Sequence, residues 1–232
     1  MSGARRVLLL HPLGADGRFW DDVLPHLDGI ETITPDLPGH GAAPCLPAGA
    51  GIGDFADAVA GERAHVVGLS LGGLIAQELA ARRPDLVDRL VLVASVAVYP
   101  EPMREMWRHR ARVAREGALA ELAEPMADMW FTEPSRPTPA RIRERFVAMD
   151  PEGYARACEA LETADTTRLA PAISSPTLIA CGSSDLPPFI QAAHWLHEHI
   201  AESELTWLTG KHAAALERPA EFAAALRSFL AR

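Results

Sequence analysis

The chain has 232 residues, 48% of them hydrophobic, and a formal charge of −9, enough apolar material for one compact domain and the wrong sign for nucleic acid or an anionic membrane as partner. Its longest mainly apolar runs, such as Leu90 to Val98, are under half a membrane span, and Val7 to Leu10 is too short for a signal-peptide core, so a cytoplasmic protein is expected. Three widely separated cysteines, Cys45, Cys158 and Cys181, lack metal spacing and read as buried or incidental thiols.

Residues 5–10 read as a buried strand running into His11-Pro12-Leu13-Gly14. A helix is predicted over 18–27 and a second strand over 30–34, followed by the loop Asp36-Leu37-Pro38-Gly39-His40-Gly41 and a short helix from Ile52 to Ala60. A third strand, 64–68, meets Gly68-Leu69-Ser70-Leu71-Gly72 and then a helix over 70–82. Strand, sharp turn and helix with serine at the apex is the context of a nucleophile elbow. A side chain two positions before or after the serine would collide with the neighbouring strand or helix, and Gly68 and Gly72 remove those collisions. Because the helix begins at the serine, its unpaired N–H groups face the place where an oxyanion forms, which makes the Leu71 N–H a candidate oxyanion donor. The competing reading is a glycine-rich connection with a buried serine cap.

A fourth strand is predicted over 90–94. Residues 100–170 are then rich in Arg, Glu, Ala and Met and nearly free of strand patterns, with breaks at Glu116-Gly117, Pro134 to Pro139 and Asp150-Pro151 that divide them into about four helices. This segment holds eleven arginines and no lysine. One arginine there could take a substrate carboxylate bidentately, although most are expected to be solvated or paired with the thirteen acidic residues of the same segment. Trp20, Trp107, Trp130 and Tyr154 are candidates to line a substrate pocket, with core packing the competing role for each.

A fifth strand, 176–181, ends in Gly182-Ser183-Ser184-Asp185 and is followed by a helix over 187–199. The sixth strand, 204–209, leads through Gly210 and Lys211 to His212 and a last helix over 217–230, with Phe222, Leu226, Phe229 and Leu230 on one packing stripe. The alternation predicts an α/β fold, a mostly parallel sheet with helices on both faces. A serine hydroxyl needs a base held by a third group, and Asp185 and His212 lie with Ser70 just beyond strand C-terminal ends, where open α/β sheets place their sites. Taken singly, Asp185 could cap the following helix and His212 could be a loop histidine. His194, His197 and His199 diverge around their helix and read as a solvated face, not a zinc site; no metal and no organic cofactor is expected.

The order Ser70, Asp185, His212 is that of α/β-hydrolases, and four patches make the resemblance: HPLG, DLPGHG, GLSLGG, and GSSD taken with KHAAALERP. Within that superfamily the chain resembles 3-oxoadipate enol-lactonases through His11 to Asp16 with Phe19-Trp20-Asp21, through Trp130-Phe131-Thr132, and through Asp150 to Ala155 with Cys158. The resemblance implies a hydrolase core of residues 1–99 and 171–232 with a helical cap, 100–170, above the catalytic edge. It also implies that Leu13 gives the second oxyanion N–H, since Pro12 has none. Ser70 is expected to attack a small ester or lactone, with an acyl-enzyme intermediate. Two departures stand out: the chain begins almost directly at its first strand, leaving no room for the superfamily's N-terminal hairpin, and the segment from His40 to Ala64 is short. A lyase using the same three residues and a receptor on a hydrolase scaffold are the alternatives to a hydrolase. Oligomeric state is not legible.

Overall fold

The computed structural model describes residues 6–133 and 136–232. Six strands, β1 (Arg6–Leu10), β2 (Glu31–Ile33), β3 (Ala64–Leu69), β4 (Val87–Val93), β5 (Thr177–Gly182) and β6 (Ser203–Leu208), form one sheet in the order β2-β1-β3-β4-β5-β6. Every pairing is parallel. The middle strands are apolar on both faces: Val7, Leu9, Val66, Val67, Val91, Leu92 and Ile179 are all buried, as a sheet covered by helices on two sides requires. The edge strands β2 and β6 are only partly buried, and β2 is three residues long, a length that limits edge pairing.

The helices are α1 (Ile52–Val59), α2 (Leu71–Arg82), α3 (Glu101–Arg115), α4 (Leu119–Trp130), α5 (Pro137–Val147), α6 (Pro151–Thr163), α7 (Pro187–His199), α8 (Ala214–Glu217) and α9 (Pro219–Leu230). Breaks at Gly117 and Asp150-Pro151 fall where the sequence places them; of the break at Pro134 to Pro139, Pro134 and Ser135 lie outside the described residues. The helix expected over 18–27 is instead two 3-10 turns, Gly17–Trp20 and Leu24–His26. Pro25 accounts for this, because it has no N–H to donate and its ring clashes with the carbonyl four residues earlier. The helix expected over 217–230 is α9, which starts at Pro219; lacking an N–H, Pro219 separates it from the short α8 before it.

The helices α3 to α6 leave and rejoin the sheet side by side. Val98 forms an antiparallel bridge with Asp165, and the Thr166 N–H donates to the Ala97 carbonyl at 2.8 Å. Across the outer face of this insertion Arg108 joins Glu101 and Glu162, while Arg115 joins Glu152 and Glu159.

Behind the β3–α2 turn lies a fully buried Gln77. Its amide nitrogen donates to Ser95 Oγ (3.1 Å) and the Val96 carbonyl (2.9 Å), and its oxygen accepts the Thr166 hydroxyl at 2.7 Å. One side chain thus ties α2 to the segment after β4 and to the return of the insertion. Gln77→Leu leaves the Thr166 hydroxyl only the Ala97 carbonyl (3.1 Å) and the Val96 carbonyl only the Ser95 hydroxyl (3.4 Å), and is expected to cost about 2 kcal/mol. Urea unfolding should show a lowered midpoint with an unchanged slope; an unaltered midpoint would count against the network.

Candidate active site

Ser70 occupies the turn between β3 and α2 with φ 54° and ψ −110°, a conformation that costs a non-glycine residue energy. Two close approaches hold it there. A Cβ on Gly68 would lie 2.1 Å from the Gly72 carbonyl oxygen, and one on Gly72 would lie 2.3 Å from the Leu10 carbonyl oxygen. The Ser70 N–H donates to the Val93 carbonyl at 2.9 Å, so the strained residue is also anchored to β4. Leu71, the first helical residue, directs its N–H out of the α2 N-terminus.

Asp185 follows β5 and His212 follows β6, and the ends of these strands lie so close that a Cβ on Gly182 would meet the Lys211 carbonyl oxygen at 2.1 Å. His212 Nδ1 lies 3.0 Å from Asp185 Oδ2, with both side chains buried. A carboxylate can only accept, so the proton is on Nδ1 and Nε2 is left free. The other carboxylate oxygen accepts the Leu186 N–H at 2.7 Å. Phe189 lies 4.3 Å from the His212 ring, centroid to centroid, and the Ala213 N–H donates to the Trp130 carbonyl, tying the histidine loop to the end of α4. Cys181 sits behind Asp185, where burial pushes its thiol up to about 12, an inert thiol.

Ser70, His212 and Leu13 line one cavity beneath the helical insertion, together with Trp107, Trp130, Tyr154, Phe189, Arg110 and four methionines. Trp20 is not among them. Its ring is fully buried against Phe19 and stacks on Phe222 of α9 at 6.0 Å, so it packs in the core rather than in the cavity. A larger cavity of about 420 Å³ lies between β2 and α1, but no histidine lines it.

Two features of the cavity wall escape a linear reading. Met103, Met106, Met126 and Met129 line it, each pair spaced i, i+3 on α3 or α4; that Met-x-x-Met spacing was the available signal. Arg110 is the second. Alone among the insertion's arginines it is buried, and it forms no ion pair with any described carboxylate; instead its guanidinium lies 5.3 Å from the Trp107 ring centre. The cavity itself is tight, about 10 Å³, room for about one water. His194, His197 and His199 point to separate partners, Trp207, Ser203 and the Trp195 carbonyl, and no group of three metal-ligating side chains occurs among the described residues.

Residues 7–225 match the alpha/beta hydrolase family. The chain belongs to that family. It is an ester or lactone hydrolase. Among curated relatives, 3-oxoadipate enol-lactonase 2 of Acinetobacter baylyi is 29% identical over 238 residues, covering 97% of this chain and 88% of the relative. The pimeloyl-[acyl-carrier protein] methyl ester esterase of Chromobacterium violaceum is 34% identical, covering 97% and 93%. The crystal structure of the enol-lactonase from Burkholderia xenovorans superposes with a TM-score of 0.92 at 31% identity, covering 100% of this chain and 93% of that one. No helix among the described residues of the hydrolase is long and apolar enough to cross a membrane.

Beside the cavity, two buried histidines join the loops after β1 and β2. His11 Nε2 accepts the Leu37 N–H at 2.9 Å and its Nδ1–H donates to the Pro12 carbonyl; His40 Nε2 accepts the Gly14 N–H at 3.3 Å and its Nδ1–H donates to the Pro38 carbonyl. Burial pulls His11 down to about 3, with the neighbouring His40 adding to the effect, and burial pulls His40 down to about 4. Burial pushes the nearby Asp36 carboxyl up, but N–H bonds from Ala42 and Gly17 outweigh it and leave the group below its ordinary value. Below pH 6.5 the unfolded hydrolase takes up protons that the folded one refuses. Stability is therefore complete above about pH 6.5 and declines as pH falls, by about 1.4 kcal/mol per unit from each histidine, until pH approaches the folded-state values. Thermal melts from pH 7.5 to 4.5 should show the decline beginning near 6.5, and substituting both histidines should flatten it.

Proposed function

We propose that the chain hydrolyses a small ester or lactone bearing a free carboxylate, an enol-lactone of the 3-oxoadipate type being the favoured substrate. The observation that carries this reading is the buried Arg110, which has no counter-ion among the described residues, in the same cavity as Ser70 and His212. A buried cation without a counter-ion is costly. An anionic substrate relieves that cost by forming a bidentate, charge-assisted pair. The enol-lactonase relatives support the lactone.

In this mechanism His212 Nε2 takes the Ser70 proton as Ser70 Oγ attacks the carbonyl carbon. Asp185 keeps the histidine proton on Nδ1 and stabilises the cation that forms. The N–H groups of Leu13 and Leu71 hold the tetrahedral oxyanion, each worth on the order of 3 kcal/mol. His212 then protonates the departing oxygen; in a lactone that oxygen stays tethered to the acyl group until water, deprotonated by the same histidine, releases the open acid. The helical insertion acts as the cap. Trp107, Trp130 and Tyr154 shape the apolar wall, and the methionines, with flexible unbranched side chains, re-pack to admit substrate.

Two substitutions test the reading. Ser70→Ala should abolish both turnover and single labelling by a fluorophosphonate while leaving the melting temperature intact; retained activity would remove Ser70 as nucleophile. Labelling that fails in folded wild type would favour a lyase or a receptor on this scaffold. Arg110→Met should lower kcat/KM at least tenfold for a carboxylate-bearing lactone and leave its neutral methyl ester within about threefold. Equal losses on both substrates would sink the carboxylate assignment. Asp185→Asn should slow turnover by several orders of magnitude without unfolding the chain.

A further inference from the structure

Leu13 occupies the second position of a four-residue turn. The Pro12 carbonyl accepts the Ala15 N–H at 3.3 Å, and Gly14, third in the turn, has φ 78°, the geometry of type II. Types I and II differ by rotation of one peptide plane, here Leu13–Gly14, and glycine tolerates either sense. The bond that fixes the sense comes from a different loop. It is the Gly14 N–H to His40 Nε2, and the reciprocal bond from the Leu37 N–H to His11 Nε2 closes the lace. A third strut, the Gly17 N–H to Asp36 Oδ1 at 2.8 Å, joins the same two loops.

Neither histidine lines the catalytic cavity, so neither touches substrate. The insertion nevertheless presses on what they hold. A Cβ on Gly14 would meet Phe146 at 2.8 Å and Tyr154 at 3.4 Å, and one on Gly39, beside His40, would meet the Gly153 Cα of α6 at 2.7 Å. The turn is clamped between an imidazole acceptor below and aromatic rings of the insertion above.

We infer that His40, together with His11, is a positioning residue for the oxyanion-forming turn: the His11 Nδ1–H on the Pro12 carbonyl orients the Pro12–Leu13 peptide that carries the Leu13 N–H, and His40 Nε2 fixes the Leu13–Gly14 peptide that follows it, so that the turn keeps the Leu13 N–H aimed at the carbonyl oxygen of bound substrate. The inference rests on the roles proposed for Ser70 and Leu13. A donor displaced by a fraction of an ångström loses most where charge develops, so the effect falls on kcat and leaves KM nearly unchanged.

The test compares wild type with His40→Phe, which keeps a ring but no acceptor, and His40→Gln, whose amide oxygen can accept the Gly14 N–H. Turnover of p-nitrophenyl acetate and the affinity of phenylboronic acid, whose serine adduct mimics the tetrahedral intermediate, are measured together with melting temperature. Expected are a kcat reduced about 10- to 100-fold in His40→Phe, KM within about twofold, boronate affinity weakened in parallel, and most of the loss recovered in His40→Gln. A folded His40→Phe with wild-type kcat overturns the inference, as does His40→Gln no better than His40→Phe. Should His40→Phe not fold, hydrogen exchange on wild type decides: the Gly14 and Leu37 amides should exchange as slowly as strand amides, and rapid exchange of either overturns the lace. Wild type without Ser70-dependent turnover but with both amides protected would overturn the functional reading and leave the lace standing as structure.

Discussion

Everything at the catalytic edge depends on keeping Ser70 in a left-handed backbone conformation that serine resists. The strain is held by contacts that no flexible loop could make. Gly68 passes against the Gly72 carbonyl, Gly72 against the Leu10 carbonyl, and the Ser70 N–H is fixed to Val93, so β1, β3, β4 and α2 all bear on one residue. Gln77 secures the same turn from behind, because its neighbour Ser95 packs on Gly73 and its oxygen holds Thr166. A parallel sheet buried on both faces is rigid enough to sustain this, since its apolar strands cannot slide without exposing their side chains on one face or the other.

The insertion has the opposite character. Its roof over the cavity is methionine and aromatic, and the end of α4 is tied to the histidine loop and α8 by a few bonds: the Ala213 N–H to the Trp130 carbonyl, the Lys211 ammonium to the Asp128 carbonyl, and the Thr132 N–H to the Glu217 carboxylate. A rigid serine turn under an adaptable roof fits the proposed reaction, in which the attack geometry is constant and the substrate has to be admitted and enclosed. Arg110 supplies the fixed point within that roof. Under the proposed function it gives an otherwise apolar wall one charge to meet a substrate carboxylate, on a chain whose net charge is strongly negative.

The two buried histidines show how polar groups specify a loop. Each ring spends one nitrogen on its own loop and the other on the opposite loop, so both are fully satisfied while neutral, and their burial keeps them neutral. The arrangement is stable only when both loops are folded together. That mutual dependence makes the turn carrying Leu13 part of the core, not a surface loop.

Local pattern was enough for most of the architecture. Alternating apolar runs and helical stripes located the six strands and the main helices, GLSLGG announced its strand, turn and helix, and Gly117 and Pro151 announced breaks in the insertion, because such signals act within a few residues. Where two local rules competed, as at Pro25, the missing N–H overrode the helical pattern. The order of Ser70, Asp185 and His212 pointed to the family without distances. What the sequence could not decide was which of eleven arginines is buried, that Trp20 packs on Phe222 and not in the cavity, or that His11 and His40 bond across to each other's loops. Those outcomes depend on contacts between residues far apart in the chain, and burial, pairing and charge neutralisation are properties of the assembled surroundings, not of any residue or its neighbours in sequence.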